Sequence, residues 1–364
     1  CPSQYGFIKM RDNLMARFRE LDSEQRKIYL NSCQVYRAFM DEIKLSYQFR
    51  GGMRWKKTAG KDYLFKTIGR NGLGKSMGVR SPITENIFEE FHKAKSRNKV
   101  RSESLRESLA QQSRLCVAIG INRMPKIPAQ ILRLLDKENV LGNGVSVLGT
   151  HAIYAYEAAA GIMIDNNLME TMDVDLLYDA RRKLRLTSEI NQSGLIGLLK
   201  KVDKTFELAG EGHYRAINDR GFMVELIKKT PDPPFKIESQ CLSNFKDDIK
   251  AAEMTGLKWL DSAPSFRRTA IAEDGYPVDL VVPDPRYFAL NKLWVSQQDD
   301  RDPVKKPRDF HQAKAVADLC LNYLAMPFDD PFLKVFPEFI RKQIPDLIEG
   351  LDYRDDSSLD MLMF

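Results

Sequence analysis

The chain is poor in the residues that mark thiol and histidine chemistry. Its five cysteines, Cys1, Cys33, Cys116, Cys241 and Cys320, stand singly, without C-x-x-C or metal-finger spacing, so neither a disulfide framework nor a zinc module is expected. The four histidines, His92, His151, His213 and His311, fall one per segment. No run approaches the ~18 consecutive apolar residues of a membrane span, and the opening CPSQYGFIKMRDNLMARF has no apolar signal core. A soluble cytoplasmic protein is the expectation. Low-complexity tracts are missing too, and 43% apolar content over 364 residues supports two or three domains with real cores.

What is present is unevenly charged. Residues 1–120 hold 24 Lys and Arg against 12 Asp and Glu, while the rest of the chain holds 32 against 38. A basic N-terminal third fits contact with a polyanion such as RNA or DNA; the interleaved acids fit a solvated helical face equally well.

Periodicity divides the chain into three. Residues 1–140 form a basic, mainly helical region with a small hairpin. Apolar residues recur three and four apart over Lys27–Leu45, helices are expected over Ile83–Lys95, Ser102–Ile119 and Pro128–Glu138, and RWKK (Arg54–Lys57) pairs with Tyr63–Ile68 around AGKD. Residues 141–285 alternate strand and helix: VSVLG, the helix HAIYAYEAAAG, METMDVDLLYD, a helix with GLIGLLKKVDKTF, and two hairpins turning at Asp219-Arg220-Gly221 and Asp274-Gly275. Residues 286–364 read as helices ending in an acidic tail.

The stretch Gly69–Ser76, GRNGLGKS, fits the phosphate-loop pattern G-x-x-x-x-G-K-[ST]. Such a loop needs a helix starting at its Lys-Ser, yet Gly78 and Pro82 follow. Proline inside a helix costs ~3 kcal/mol, so the better start is Ser81 as N-cap with Pro82 in the first turn. Lys75 and Ser76 are then left in a loop of a basic surface hairpin. A P-loop ATPase stays as a minor alternative.

Three middle segments combine into one candidate site. In VLGTHAIYAYE a strand enters a helix through Gly149 and Thr150, a turn that admits a phosphate, although such a pair is usually just a tight turn and a cap. In DVDLL, strand alternation sends Asp173 and Asp175 to one face. Two adjacent carboxylates repel unless a cation compensates, which suits Mg²⁺ (or Mn²⁺), though acidic pairs also occur on solvated strand faces. In GFMVELIKK, Glu225 sits in an otherwise apolar strand, a costly place for an unpartnered charge. It is the preferred third carboxylate; Asp279, in YPVDLVV, competes on the same logic.

The order of these parts resembles the nucleotidyltransferase superfamily that includes DNA polymerase beta. More closely, VLGTHAIYAYEAAAG, TMDVDLLYDARRKL, GFMVELI and PDPRYFALNKLWVSQQ, with the later VKKPRDFHQA, are similar to a bacterial family of nucleotidyltransferase-fold proteins related to abortive-infection toxins. WKK, YLF, KSMGVRSPITE and RLLDKENVL extend the likeness from about Trp55 to Leu319. It implies an α+β nucleotidyltransferase fold, a mixed or antiparallel sheet with flanking helices, between helical N- and C-terminal regions. It also implies that Asp173, Asp175 and Glu225 bind metal and catalyse, while Gly149 and Thr150 hold the triphosphate. Lys292, with Arg286 and Arg301, would bring cations to the phosphates; Lys292 and Arg301 read equally well as partners of Asp309. Asn291 stands where the family tends to have histidine, so that position loses its expected role. The implied activity is transfer of a nucleoside monophosphate from an NTP, such as ATP, to an acceptor hydroxyl, with RNA or tRNA suited to the basic third and room for a protein partner such as an antitoxin. A binding or regulatory protein on the same scaffold, with little turnover, is the alternative.

Overall fold

A computed structural model describes residues 18–67, 73–181, 188–233, 238–329 and 331–351. Gly69–Gly72 of the phosphate-loop pattern and the acidic tail lie outside these residues. Packing groups the chain into two units, Lys27–Asn122 with Asp274–Pro277, and a larger one holding Arg123–Glu273 and Val278 onward together with the N-terminal segment. The division into 1–140, 141–285 and 286–364 stays a proposal beside this grouping.

Strand β1 (Phe18–Glu20) belongs to the larger unit. Helix α1 (Ser23–Ser46) leads into the smaller one and buries Cys33, Tyr36 and Met40 at helical spacing; Tyr36 and Met40 meet Leu109 in a small core. The hairpin expected after it is there: β2 (Met53–Thr58) and β3 (Lys61–Thr67) are antiparallel around Ala59 and Gly60, both at positive φ. A third strand, β4 (Gly74–Val79), pairs with β3. Lys75 and Ser76 are therefore in a strand and not in a loop, and no helix starts at them. The helix start falls where the sequence places it, with Pro82 in the first turn of α2 (Pro82–Ala118) and Ser81 and Thr84 forming a reciprocal capping box. The two helices expected over Ile83–Ile119 are one helix of 37 residues. Its middle, KSRNKVRSES, is polar but carries neither proline nor glycine, so the loss of apolar periodicity there is no break.

In the larger unit α3 (Lys126–Lys137) precedes β5 (Val145–Leu148). A 3₁₀ turn, Gly149–Ala152, then enters α4 (Ile153–Ala160). The short β6 (Ile162–Ile164), which alternation does not reveal, pairs with β1. After β7 (Asp173–Tyr178) come α5 (Ser188–Val202), bent at Gly194, β8 (Glu207–Ala209), β9 (Arg215–Ile217), β10 (Met223–Lys229), β11 (Ala252–Met254) and α6 (Leu257–Ser262). A separate two-stranded sheet, β12 (Ser265–Ile271) with β13 (Pro277–Pro283), is followed by α7 (Pro285–Ser296) and α8 (Lys305–Asn322).

The main sheet runs β5-β7-β10-β9-β8, with β11 beside the far end of β10. Among the described residues of this sheet, only the β7–β10 and β10–β11 pairs are parallel. Val174, Leu176, Val224 and Leu226 are fully buried in the core with Leu132, Ala155 and Leu199. This is an α+β architecture with a mixed sheet, helical on both sides in sequence, as the sequence implies.

Candidate active site

Alternation in two neighbouring parallel strands positions the acids. Asp175 stands beside Glu225 and Asp173 beside Met223, so with Val174, Leu176, Val224 and Leu226 turned to the core the three carboxylates share the opposite face. On the other flank of β7, Leu148 pairs with Asp175, which brings the following Gly149 over the carboxylate. Gly149 has φ +63, and a Cβ there would overlap Asp175 Oδ2. Only glycine permits this approach.

The electrostatics centre on Asp175. Its carboxyl is pushed up to about 7, first by burial and then by the charges of Asp173 and Glu225, with Lys292 and Arg301 acting the other way. Cations are close, but the acids outweigh them. The Lys292 ammonium bonds Asp309 Oδ1 at 2.7 Å, and Arg301 reaches Asp309 Oδ2 at 2.7 Å. Asp309 is completely buried. Pairing with Asp309 and proximity to Asp175 thus both hold: one carboxylate fixes two cations that still act on the other. Burial pulls the Lys292 ammonium below its ordinary range, and Asp309 partly restores it.

Other expected residues are placed differently. Arg286 is buried against Asp284 (2.8 Å), the N-cap of α7, and donates to the Pro327 carbonyl at 3.2 Å; its guanidinium has structural work here. Thr150 is buried, and its hydroxyl accepts from Gln312 Nε2 at 3.1 Å. Asn291 donates weakly to the Gly256 carbonyl at 3.4 Å. His151 is enclosed beside Asp173. Burial drives its imidazole down to about 4, so the ring is neutral at neutral pH, and Nε2 has no hydrogen-bond partner among the described residues. The choice between Glu225 and Asp279 is geometric: Asp279 lies on β13, outside the main sheet, and accepts from Thr269 (2.6 Å) and Arg267 (3.1 Å).

Sequence reasoning misses what holds the acids. Arg215, directly across from Glu225 on β9, pairs with it at 3.2 Å, and the Thr171 hydroxyl bonds Asp173. Among the described residues no three His, Cys, Asp or Glu side chains are gathered to hold a metal ion. The expected three-carboxylate cluster is thus aligned on one face without being closed. The donor chemistry nonetheless fits a hard divalent cation: the three acids offer carboxylate oxygens, and Asp175 is buried beside two like charges. The hairpin turn at Asp219-Arg220-Gly221 signals that β9 lies beside β10; nothing local signals Gln312, in α8, reaching back to Thr150.

Comparison with known proteins adds one finding. Residues 127–336 match a family model described as nucleotidyltransferase, which covers more than half of the chain and spans the Gly-Thr turn, both acidic strands and the Lys292–Asp309 helices. No curated protein and no solved structure matches. The chain belongs to this nucleotidyltransferase family.

Proposed function

We propose that the protein transfers a nucleoside monophosphate from an NTP to an acceptor hydroxyl on RNA, such as tRNA, with Mg²⁺ or Mn²⁺, in the manner of the DNA polymerase beta superfamily. The observation that carries this reading is the pairing of Asp175 with Glu225 across parallel strands beneath Gly149, with Asp175 raised to about 7 by burial and by the charges of Asp173 and Glu225. Asp173 and Asp175 would hold a cation, with Glu225 joining once it leaves Arg215. When bound, the cation supplies Lewis acidity toward the acceptor hydroxyl and neutralises charge on the departing diphosphate.

The chain's own residues do the rest. Gly149 lets the Asp175 carboxylate lie against the turn, beside which the triphosphate would sit. Lys292 and Arg301, anchored on Asp309, set a positive potential on the same side without being free to wander. Alignment and charge stabilisation dominate phosphoryl-type transfer, so no side-chain nucleophile is required. His151, neutral and enclosed, contributes shape beside Asp173.

One observation favours a second reading, a nucleotide-binding regulator with little turnover: Glu225 is engaged by Arg215. A single assay separates the two. Purified protein is incubated with each α-labelled NTP, Mg²⁺ and total cellular RNA, wild type against Asp173→Ala. Labelled RNA from wild type alone supports transfer; nucleotide binding with no labelled product supports the regulator.

A further inference from the structure

The glycine-lysine-serine motif that builds no phosphate loop builds one edge of the three-stranded sheet. Directly opposed residues of antiparallel strands share a face. Arg54 is opposite Phe65 and Lys56 opposite Tyr63, while Phe65 is opposite Ser76 on β4. Gly74, two residues before Ser76, lets the Phe65 ring lie over the strand, since a Cβ there would come within 2.5 Å of it. One face of this sheet therefore presents two rings on its central strand, two cations on one flank and small residues beside Phe65 on the other. The opposite face is the packed one: Leu64 is fully buried and Trp55 lies 5.8 Å from Phe88 of α2.

The platform face is accessible and positive. Arg54 and Lys56 are exposed, Tyr63 and Phe65 half-buried, and the Lys56 ammonium sits 5.6 Å from the Phe65 ring centre. Neither Arg54 nor Lys56 has an ion pair among the described residues. The acids nearby, Asp62 and Glu85, are both engaged by Arg80 (3.7 and 2.8 Å).

We infer that this face binds single-stranded RNA, with bases stacked on Tyr63 and Phe65 and phosphates held by Arg54 and Lys56. Rings two residues apart on a strand are about 6.8 Å apart, room for one base on each. Stacking on aromatics beside a basic flank is how unpaired strands are held without sequence preference, and a duplex keeps its base faces hidden. The Tyr63 and Ser76 hydroxyls on the same face provide bonding groups for a 2′-hydroxyl, which selects RNA. Why RNA should be present rests on the acceptor proposed above; binding itself needs no transfer.

The test is fluorescence anisotropy of the full chain with a short labelled single-stranded RNA, against the same sequence as duplex RNA and as single-stranded DNA, across a salt series. Tyr63→Ala and Phe65→Ala should each weaken binding about tenfold. Arg54→Glu and Lys56→Glu, which leave the core untouched, should weaken it and reduce the salt slope by ~0.7 for each phosphate no longer neutralised. Tyr63→Phe should keep the stacking contribution and lose only part of the preference for RNA over DNA, separating stacking from misfolding. Duplex bound as tightly as single strand, or unchanged affinity in the charge reversals, overturns the platform; equal affinity for DNA overturns its selectivity for RNA. Asp175→Ala should bind RNA normally. RNA binding without transfer in the wild type would sink the enzymatic reading and leave the platform standing, whereas transfer to RNA with unchanged KM in Lys56→Glu would do the reverse.

Discussion

The larger unit holds two acids that look alike in sequence and differ in what surrounds them. Asp175 in DVDLL and Asp279 in PVDLVVP both interrupt apolar strands. Asp279 is satisfied: Thr269 donates to one oxygen, and Arg267 donates to the other while also reaching Asp136 at 3.1 Å. Asp175 has two acidic neighbours, cations already bound to Asp309, and a carboxyl pushed up to about 7. A strand acid whose partners are built in is part of the scaffold. One buried beside two like charges is the kind of group that the proposed cation would relieve.

The sharpest way to break this comparison is to remove each acid in turn. Asp175→Ala should lower nucleotidyl transfer at least about a thousandfold, ~4 kcal/mol of transition-state stabilisation, while Asp279→Ala leaves kcat within a few-fold. Labelled-product assays on both variants decide it; equal losses would place Asp279 in the site as well.

Stability against pH gives the next largest effect. The folded value of about 7 for Asp175 lies above its ordinary 3.8, so over this interval the folded state holds a proton that the unfolded state has released. The contribution to stability is present in full below about 3.8 and is lost as pH rises through about 7. Compared with metal-free wild type, Asp175→Asn should therefore gain Tm progressively from pH 4 to 7 and level off above. Mg²⁺ added at pH 8 should raise the wild-type Tm and leave the variant's nearly unchanged. Thermal melts at matched ionic strength measure both.

Asp279→Ala should then cost about 1–2 kcal/mol of folding stability, read from denaturant midpoints. The figure is held down because Arg267 is 49% exposed and water can replace its missing partner.

Much of this contrast is legible in the sequence, for identifiable reasons. Strand alternation is local, so DVDLL and MVELI yield both the shared face of Asp173 and Asp175 and the core positions between them. Ser81-Pro82 marks a helix start by capping chemistry alone. What stays hidden depends on distant partners. Arg215, in HYRAIN, is not distinguishable from any other basic residue of the chain until β9 pairs with β10. The bond between Gln312 and Thr150 joins positions 162 residues apart, beyond any periodicity. The unbroken α2 escapes notice because its middle is polar and mostly exposed, and exposure erases the apolar pattern without ending the helix.

Arg215 is where the comparison can be sharpened by a smaller effect. It does for Glu225 what Arg267 does for Asp279, yet its guanidinium is less exposed and also stacks on Tyr214, 4.4 Å from the ring centre. If Arg215 is a stand-in for the cation, removing it should free Glu225 to join Asp173 and Asp175. Arg215→Ala should then strengthen Mn²⁺ binding about fivefold in the absence of nucleotide, ~1 kcal/mol, the scale of one partly exposed ion pair. Paramagnetic titration of the free ion measures this directly. Weaker Mn²⁺ binding in Arg215→Ala would mean that the guanidinium organises the site and does not compete for it, and Glu225 would then belong with Asp279 among the acids that hold the scaffold.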